Sequence, residues 1–165
     1  TRKARIQDVD GMSCLINEFA AAGIMLARGP LYLYQNIQDY RVITMESDGV
    51  EYVIACGGLH VLWEDLAEVR TLAVKPGLKG AGVGHRLLQK LLQTARELGV
   101  RRVFCLTFEV DFFGKHGFVE IGETPVDTDV YAELLRSYDE GIAEFLGLER
   151  VKPNTLGNSR MLLHL

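Results

Sequence analysis

The chain has 165 residues, enough for one domain (residues 1–165) built around one hydrophobic core. Its formal net charge is −4 and it contains no basic block, so a nucleic-acid partner is not expected. No apolar run reaches the roughly 18 residues of a membrane span, and no signal peptide opens the chain, which favours a cytoplasmic protein without a membrane partner. The three cysteines form no CxxC pair, which argues against a disulfide framework and against a zinc site.

The first predicted elements are two helices. Asp8 or Asp10 would cap the first helix and Gly23 would end it. Pro30 suits the first turn of a second, short helix. The first helix rests on four apolar residues at helical spacing: Met12, Leu15, Ile16 and Phe19.

Three strands follow these helices. The segment YRVITMESDGVEYVIACGGLHVLW predicts a hairpin that turns at Asp48-Gly49, one of the strongest short hairpin signals. The segment LAEVRTLAV predicts a third strand, reached through a tight turn at Trp63-Glu64-Asp65. Alternation along this strand puts Glu68 and Arg70 on one face.

The second half of the chain predicts a strand–helix–strand unit and a mixed sheet. The segment RRVFCLTF is a strand, and a helix that ends at Gly99 precedes it, so the strands flanking this helix form a parallel pair. Further on, DFFGKHGFVEI predicts a short helix and a strand, DTDVYAELLRSYDEGIAEFL one capped helical stretch, and SRMLLHL a final strand. The fold class is therefore α+β with one mixed sheet. The helix that ends at Gly99 is defined by an apolar stripe: Leu87, Leu88, Leu91, Leu92, Ala95 and Leu98.

A glycine-rich loop, KGAGVG, stands directly before the leucine-rich helix. Alternating glycines at the start of a helix let the backbone close on phosphate. A P-loop would need Lys and Ser or Thr after the last glycine, and His85 and Arg86 stand there instead. A Rossmann fingerprint would need G-x-G-x-x-G straight after a strand. Glu109 lies where a ribose-binding acid would, but the spacer KPGLK and the preceding antiparallel hairpin disfavour that interpretation.

The loop resembles the R/Q-x-x-G-x-G/A pyrophosphate loop of the GCN5-related N-acetyltransferases, with Lys79 in place of the usual Arg or Gln. The segment FFGKHGF is similar to the F-Y-x-x-x-G-F block of the same family. The resemblance implies a mixed, mostly antiparallel sheet with a central parallel pair splayed around acetyl-coenzyme A, flanked by helices, and no metal. The cofactor-binding residues that it implies are Leu72, Ala73, Val74, Lys79, Gly80, Ala81, Gly82, Val83, Gly84, His85 and Phe112.

A closer resemblance is to the acetyltransferase domain of N-acetylglutamate synthases, above all the short stand-alone bacterial form. The segments that carry it are GGLHVLWEDLAEVRTLAV, VFCLTFEVDFFGKHGF and RVKPNTLGNSRMLLHL. It implies acetyl transfer from acetyl-coenzyme A to the α-amine of L-glutamate, the first step of arginine synthesis. Glutamine or another small amino acid is an alternative acceptor, and a non-catalytic acetyl-coenzyme A sensor is a second alternative. The oligomeric state stays open, with a homodimer as one option.

The resemblance implies three catalytic positions. Glu68 would act as the general base, since the α-amine is mostly protonated near neutrality and a carboxylate, acting through water, would remove a proton from it. The competing interpretations are an ion pair with Arg70 or an edge-strand surface charge. A distortion of its strand would turn the backbone N–H of Leu72 toward the thioester carbonyl. Phe113 replaces the family's proton-donating Tyr, and Thr107 would supply the hydroxyl instead.

Substrate residues follow from the same resemblance. Arg28 and Ser159 match substrate-contacting residues of the synthases, whereas Gly157 stands where a second basic residue is expected. Lys152 or Arg160 could substitute for that missing cation. The candidate substrate-binding residues are Arg28, Arg70, Thr71, Lys152, Asn158 and Ser159.

Overall fold

The computed structural model describes residues 1–148 and 157–165. The candidate Lys152 therefore lies outside the described residues. Within them the helices are α1 (Val9–Ala21), α2 (Pro30–Gln35), α3 (Val83–Glu97), α4 (Val110–Gly114), α5 (Thr128–Leu134) and α6 (Glu140–Leu146). The strands are β1 (Arg2–Lys3), β2 (Tyr40–Ser47), β3 (Val50–Trp63), β4 (Leu66–Val74), β5 (Arg102–Thr107), β6 (Val119–Glu120) and β7 (Ser159–His164).

The strands form one mixed sheet in the order β1-β2-β3-β4-β5-β7-β6. Neighbouring strands run antiparallel except β4 and β5, which are the predicted parallel pair connected through α3. The predicted hairpin is also confirmed: Asp48 and Gly49 both have positive φ, 53° and 75°, between β2 and β3. A two-residue turn with both angles positive matches the right-handed twist of the strands on either side of it.

The parallel pair is short. Only Leu66, Ala67 and Glu68 of β4 have partners in β5, and the two strands separate beyond Glu68 and Phe104. The separation leaves a wedge between the C-terminal ends of β4 and β5, at the sheet edge where α3 begins. This is the splayed parallel pair that the family resemblance predicts.

A β-bulge lies in β4 just past this wedge. Cys56 pairs with Ala73 and Gly58 with Arg70, so two residues of β4, Thr71 and Leu72, stand opposite the single residue between them in β3. Thr71 has a φ of 55°, in the left-handed region that threonine rarely adopts. The bulge interrupts the side-chain alternation of β4, so the simple period of two holds only as far as Arg70.

The two faces of the sheet carry different helices. Ala67 and Val69 pack against the apolar stripe of α3, which is buried as predicted except for the exposed Leu98 at the helix end. Leu66 points to the other face and packs with Phe145 and its neighbours from α6. Glu68 and Arg70 therefore project toward α6.

One helix prediction is wrong. The stretch DTDVYAELLRSYDEGIAEFL forms two short helices, α5 and α6, rather than one. The chain leaves helical geometry after Leu135, and Asp139 caps α6 by accepting a hydrogen bond from the amide of Ile142 at 2.9 Å. Asp139 also forms an ion pair with the buried guanidinium of Arg70, and this long-range contact favours a break in the helix that local helix propensity does not predict.

In the part of the chain that the structure describes, none of the helices has the length and the apolar composition that crossing a bilayer requires.

Candidate functional site

The glycine loop enters α3 with a left-handed backbone. Gly80 and Gly82 have φ of 89° and 78°, and Gly82 is the N-cap of α3. A Cβ built on either residue would meet no heavy atom within 4 Å, so their outer side is open. The first amides of a helix have no partner inside it, and the helix dipole is positive at this end. The loop is thus a concave row of backbone donors that suits a phosphate group.

Aromatic and imidazole rings line the side of this loop that faces α4. A Cβ on Gly84 would come 3.4 Å from the ring of Phe112. Nδ1 of His116 donates to the carbonyl of Phe112 at 2.8 Å, and its Nε2 shares a hydrogen bond with Nδ1 of His85 at 2.7 Å. The predicted cofactor residues His85 and Phe112 therefore lie next to the loop, and His116 joins them.

Lys79 has its charge paired at the opening of the loop. Its ammonium lies 2.7 Å from the carboxylate of Glu109, and its side chain is 81% exposed. An exposed ion pair of this kind contributes about 0–1 kcal/mol. Glu109, which resembled a ribose-binding acid in the sequence, is thus the partner of Lys79.

A polar pocket lies on the α6 face of the sheet, beside the wedge. Its walls come from β4, from α6, from the segment that connects α1 to α2, from Leu106 on β5, and from Asn158 just before β7. Five of the sequence-predicted residues lie in these walls, and the structure therefore brings them together: Arg28, Glu68, Arg70, Thr71 and Asn158.

Arg70 is the centre of a buried ionic network. Its Nε donates to Glu68 at 2.8 Å, and its Nη1 lies 2.9 Å from Asp139 and 3.2 Å from the hydroxyl of Tyr32. Burial alone would raise the pKa of Asp139, but the charge of Arg70 and the amide of Ile142 outweigh it and hold this pKa below its usual value. The ion pair of Glu68 with Arg70 is therefore present, while the edge-strand interpretation is wrong because β4 lies inside the sheet.

Arg28 reaches the pocket from the loop before α2. Its side chain is only 5% exposed, and its guanidinium stacks on the ring of Tyr32 at 4.2 Å. Its Nε is buried and has no hydrogen-bond partner among the described residues, and the same is true of Nη2 of Arg70. Buried guanidinium donors without a partner among the described residues are costly, and a carboxylate that enters the pocket would satisfy them.

Among the charged residues that line the pocket, sequence reasoning missed Glu144 on α6. Burial raises the pKa of its carboxyl to about 7, and the nearby carboxylate of Glu68 adds to the rise, while Arg28, Arg70 and Arg160 oppose it. Among the described residues its carboxylate has no hydrogen bond within range. The sequence analysis placed Glu144 only within a predicted helical stretch, and nothing in that pattern indicated a pocket.

The remaining candidates lie at the edges of the site. Thr107 follows Val103 and Cys105 on the face of β5 that packs against α3, opposite to Glu68, and its Oγ1 accepts a hydrogen bond from the amide of Glu109 at 2.8 Å. Ser159 pairs with Thr107 across β5 and β7. Gly157, where a cation was expected, has a φ of 86° at the start of β7.

Three comparisons with known proteins agree on one family. The model of the acetyltransferase (GNAT) family matches residues 16–118. An amino-acid acetyltransferase of Mycobacterium tuberculosis is 50% identical over 162 residues, which cover 98% of this chain and 92% of the relative. An amino-acid acetyltransferase of Aeromonas salmonicida is 32% identical over 130 residues, which cover 76% of this chain but 28% of that longer protein.

Solved structures give the same result. The crystal structure of Rv2747 from Mycobacterium tuberculosis, in complex with CoA and a second ligand named NLQ, matches with a TM-score of 0.93 and 50% identity, covering 99% of this chain and 98% of that chain. N-acetylglutamate synthase from Neisseria gonorrhoeae, complexed with coenzyme A and N-acetyl-glutamate, matches with a TM-score of 0.74 over 99% of this chain and 34% of that chain. At 23% identity the second match bears on the fold alone.

Gly141 offers a test of the ionic network, because a Cβ there would lie 2.5 Å from Cζ of Arg70. We expect Gly141→Ala to lower the free energy of unfolding by about 1–3 kcal/mol, because the added methyl group overpacks the contact with Arg70. At an exposed helix position the same substitution would instead raise the free energy of unfolding by roughly 1 kcal/mol. Urea denaturation measures the change. Gly122→Ala is the control, since a Cβ at Gly122 meets nothing within 4 Å. A Gly141→Ala protein as stable as the wild type would show that α6 does not depend on this close contact.

Proposed function

The chain belongs to the acetyltransferase (GNAT) family, and from that premise we propose that it transfers the acetyl group of acetyl-coenzyme A to the α-amine of L-glutamate. The single observation that carries the choice of an amino acid is the pocket beside the wedge, where a carboxylate lies together with buried arginine donors that have no partner in the part of the chain that the structure describes. A free amino acid brings a carboxylate and an ammonium group to match them. The proposal takes residues 1–165 as one catalytic unit, acting in the cytoplasm at the first step of arginine synthesis.

The residues around the wedge fit acetyl-coenzyme A. The backbone from Lys79 to Gly84 would hold the pyrophosphate, because its left-handed glycines and the start of α3 supply donors without an opposing side chain. The bulged segment from Leu72 to Val74 would hold the pantetheine arm. When bound, acetyl-coenzyme A supplies an activated acetyl group as a thioester.

Residues of the chain would remove the proton of the substrate amine and stabilise the negative charge that develops on the thioester carbonyl oxygen. Glu68 would accept a proton from the substrate amine, directly or through a water molecule, so that the amine attacks as a neutral nucleophile. The amide of Leu72, freed from regular pairing by the bulge, would donate to the carbonyl oxygen as negative charge develops there. Thr107 would donate a hydrogen bond from its hydroxyl to the departing sulfur, which leaves as a thiolate or takes up the proton that the amine has released; the Thr107 oxygen accepts from the amide of Glu109, so its hydroxyl hydrogen is available for that bond.

Arg28 is the residue that we assign to a substrate carboxylate. It is buried, it lines the pocket, and its Nε has no partner among the described residues. The charge of Arg70 is already shared between Glu68 and Asp139. With Gly157 in place of a second expected cation, L-glutamine is a second candidate substrate, because its side chain needs no positive charge. A homodimer is compatible with this assignment but not required by it.

The proposed reaction is tested by measuring thiol release from acetyl-coenzyme A with a panel of amino acids, glutamate and glutamine included. We expect turnover with one or both of these two, and a fall in kcat of about 10² or more in Glu68→Gln, in the range for loss of a general base. The control is Glu64→Gln, which removes the same charge from the exposed turn before β4. Cofactor binding without turnover for any amino acid would identify a sensor and overturn the proposal.

The cofactor loop has its own test. We expect Gly82→Val to weaken acetyl-coenzyme A binding by about tenfold or more, because a β-branched residue at a φ of 78° costs about 1–3 kcal/mol or distorts the loop. Lys79→Ala should weaken binding far less, since its ammonium is exposed and paired with Glu109. Gly77→Val is the strained control outside the loop, with a φ of 89°. Titration calorimetry measures all three, and equal effects of Gly82→Val and Lys79→Ala would contradict backbone-dominated binding.

The role of Arg28 is tested by steady-state kinetics with the amino acids from this panel that are turned over. Arg28→Ala should raise the KM for the amino acid by about ten- to a hundredfold, the usual worth of a charge-assisted contact, and leave the KM for acetyl-coenzyme A nearly unchanged. Arg96→Ala on the exposed surface of α3 is the matched control. A similar rise in both KM values would mean that Arg28 supports the fold of the site rather than the substrate.

A further inference from the structure

Glu144 is a pocket carboxyl that the proposed reaction does not use. It lines the same pocket as Glu68 and Arg28, on the helix that forms the opposite wall. Within the described residues no donor pairs with its carboxylate. Glu144 is half-buried, and a carboxyl that is partly removed from water and lacks a donor among the described residues is costly to ionise, so its place in the pocket lining calls for an explanation.

The charges around this carboxyl come from three sides. Glu68 and Arg70 face it from β4, and Asp139 holds Arg70 from the start of α6. Arg28 faces it from the loop before α2. The guanidinium of Arg160 on β7 approaches α6 and donates to the backbone carbonyls of Phe145 at 2.7 Å and of Glu144 at 3.3 Å.

Other titratable groups on the elements packed against α6 are engaged elsewhere. His60 on β3 bonds Asp39 at 2.8 Å, and Arg102 on β5 pairs with Asp65 at 2.9 Å. The hydroxyl of Tyr131 on α5 donates to the carbonyl of Leu146 at 3.4 Å. The local charge balance among the described residues is therefore set by three arginines and three acids: Arg28, Arg70, Arg160, Glu68, Asp139 and Glu144.

This balance depends on the proton of Glu144. With Glu144 ionised the three acids neutralise the three arginines, and an amino acid with a neutral side chain, itself a zwitterion, leaves the pocket neutral. With Glu144 protonated one positive charge is left over, and it matches the additional carboxylate of glutamate. A protonated carboxyl can also donate a hydrogen bond to that carboxylate, whereas an ionised one repels it.

We propose that Glu144 determines substrate selectivity: in its protonated form it admits an acidic side chain, and in its ionised form it favours the corresponding amide. This inference rests on the proposed acetylation of amino acids and adds the residue that chooses between glutamate and glutamine. Burial and the Glu68 carboxylate raise the pKa of Glu144 to about 7, so the change falls near neutral pH. Because a carboxyl with a pKa of about 7 is mostly neutral below pH 7, glutamate is favoured below this pH, and its advantage over glutamine decreases as the pH rises.

The experiment measures kcat/KM for glutamate and for glutamine between pH 6 and pH 8 at saturating acetyl-coenzyme A. The ratio of the two values is the readout, because steps common to both amino acids, including deprotonation of the α-amine, cancel from it. In the wild type the glutamate-to-glutamine ratio should fall about tenfold over this range, as expected for a group that titrates near pH 7. In Glu144→Gln, whose amide stays neutral, the ratio should be independent of pH and close to the wild-type value at pH 6.

Glu140→Gln is the matched control, one turn earlier on α6, exposed, and with the same change of charge. It should keep the pH dependence of the wild type. A wild-type ratio that does not change with pH, or the same slope in Glu144→Gln, overturns the inference while leaving the acetylation intact. The wild-type measurement decides by itself if Glu144→Gln does not fold. Failure to acetylate either amino acid at any pH would instead overturn the proposed function, and this inference with it.

Discussion

Arg70 carries a charge that is almost completely buried, and much of the site is arranged around its partners. Glu68 meets it from the same strand, Asp139 from the start of α6, and the Tyr32 hydroxyl from α2. Because an unpaired buried charge is very costly, these three elements are fixed relative to one another. Gly141 completes the arrangement, since any side chain there would occupy the space of the guanidinium. The pocket exists because α6 must approach β4 this closely.

The strand β4 serves two purposes, separated by its bulge. Before the bulge, its polar side chains enter the pocket on the α6 face. At Thr71 and Leu72 the extra residue interrupts the regular pairing with β3, next to the wedge. The side chains that line the pocket and the irregular backbone of the bulge thus lie next to each other in one strand, and the early end of the β4–β5 pairing opens the wedge beside them.

Charge balance, more than shape, distinguishes the pocket. Its arginines are largely neutralised by acidic residues of the protein itself, so a ligand would have to match the small net charge that remains. Relatives named amino-acid acetyltransferase share the family at 50% and 32% identity, but family membership does not define which side chain is accepted. In the proposed site, adding or removing one proton would change the net charge that a substrate meets, which is why a single titratable group could select between substrates.

The sequence by itself determined the features that depend on neighbouring residues: the Asp48-Gly49 turn, the apolar stripe of α3, the glycine loop before it, and the parallel pair on either side of it. Each depends on local backbone preference or on a short hydrophobic period, and each agrees with the structure. The break between α5 and α6 and the position of Glu144 could not be predicted this way. Only the tertiary structure decided them, because the partners of a buried charge come from segments that are distant in the sequence. Arg70 and Asp139 are far apart in the sequence, yet Nη1 of Arg70 lies 2.9 Å from the carboxylate of Asp139.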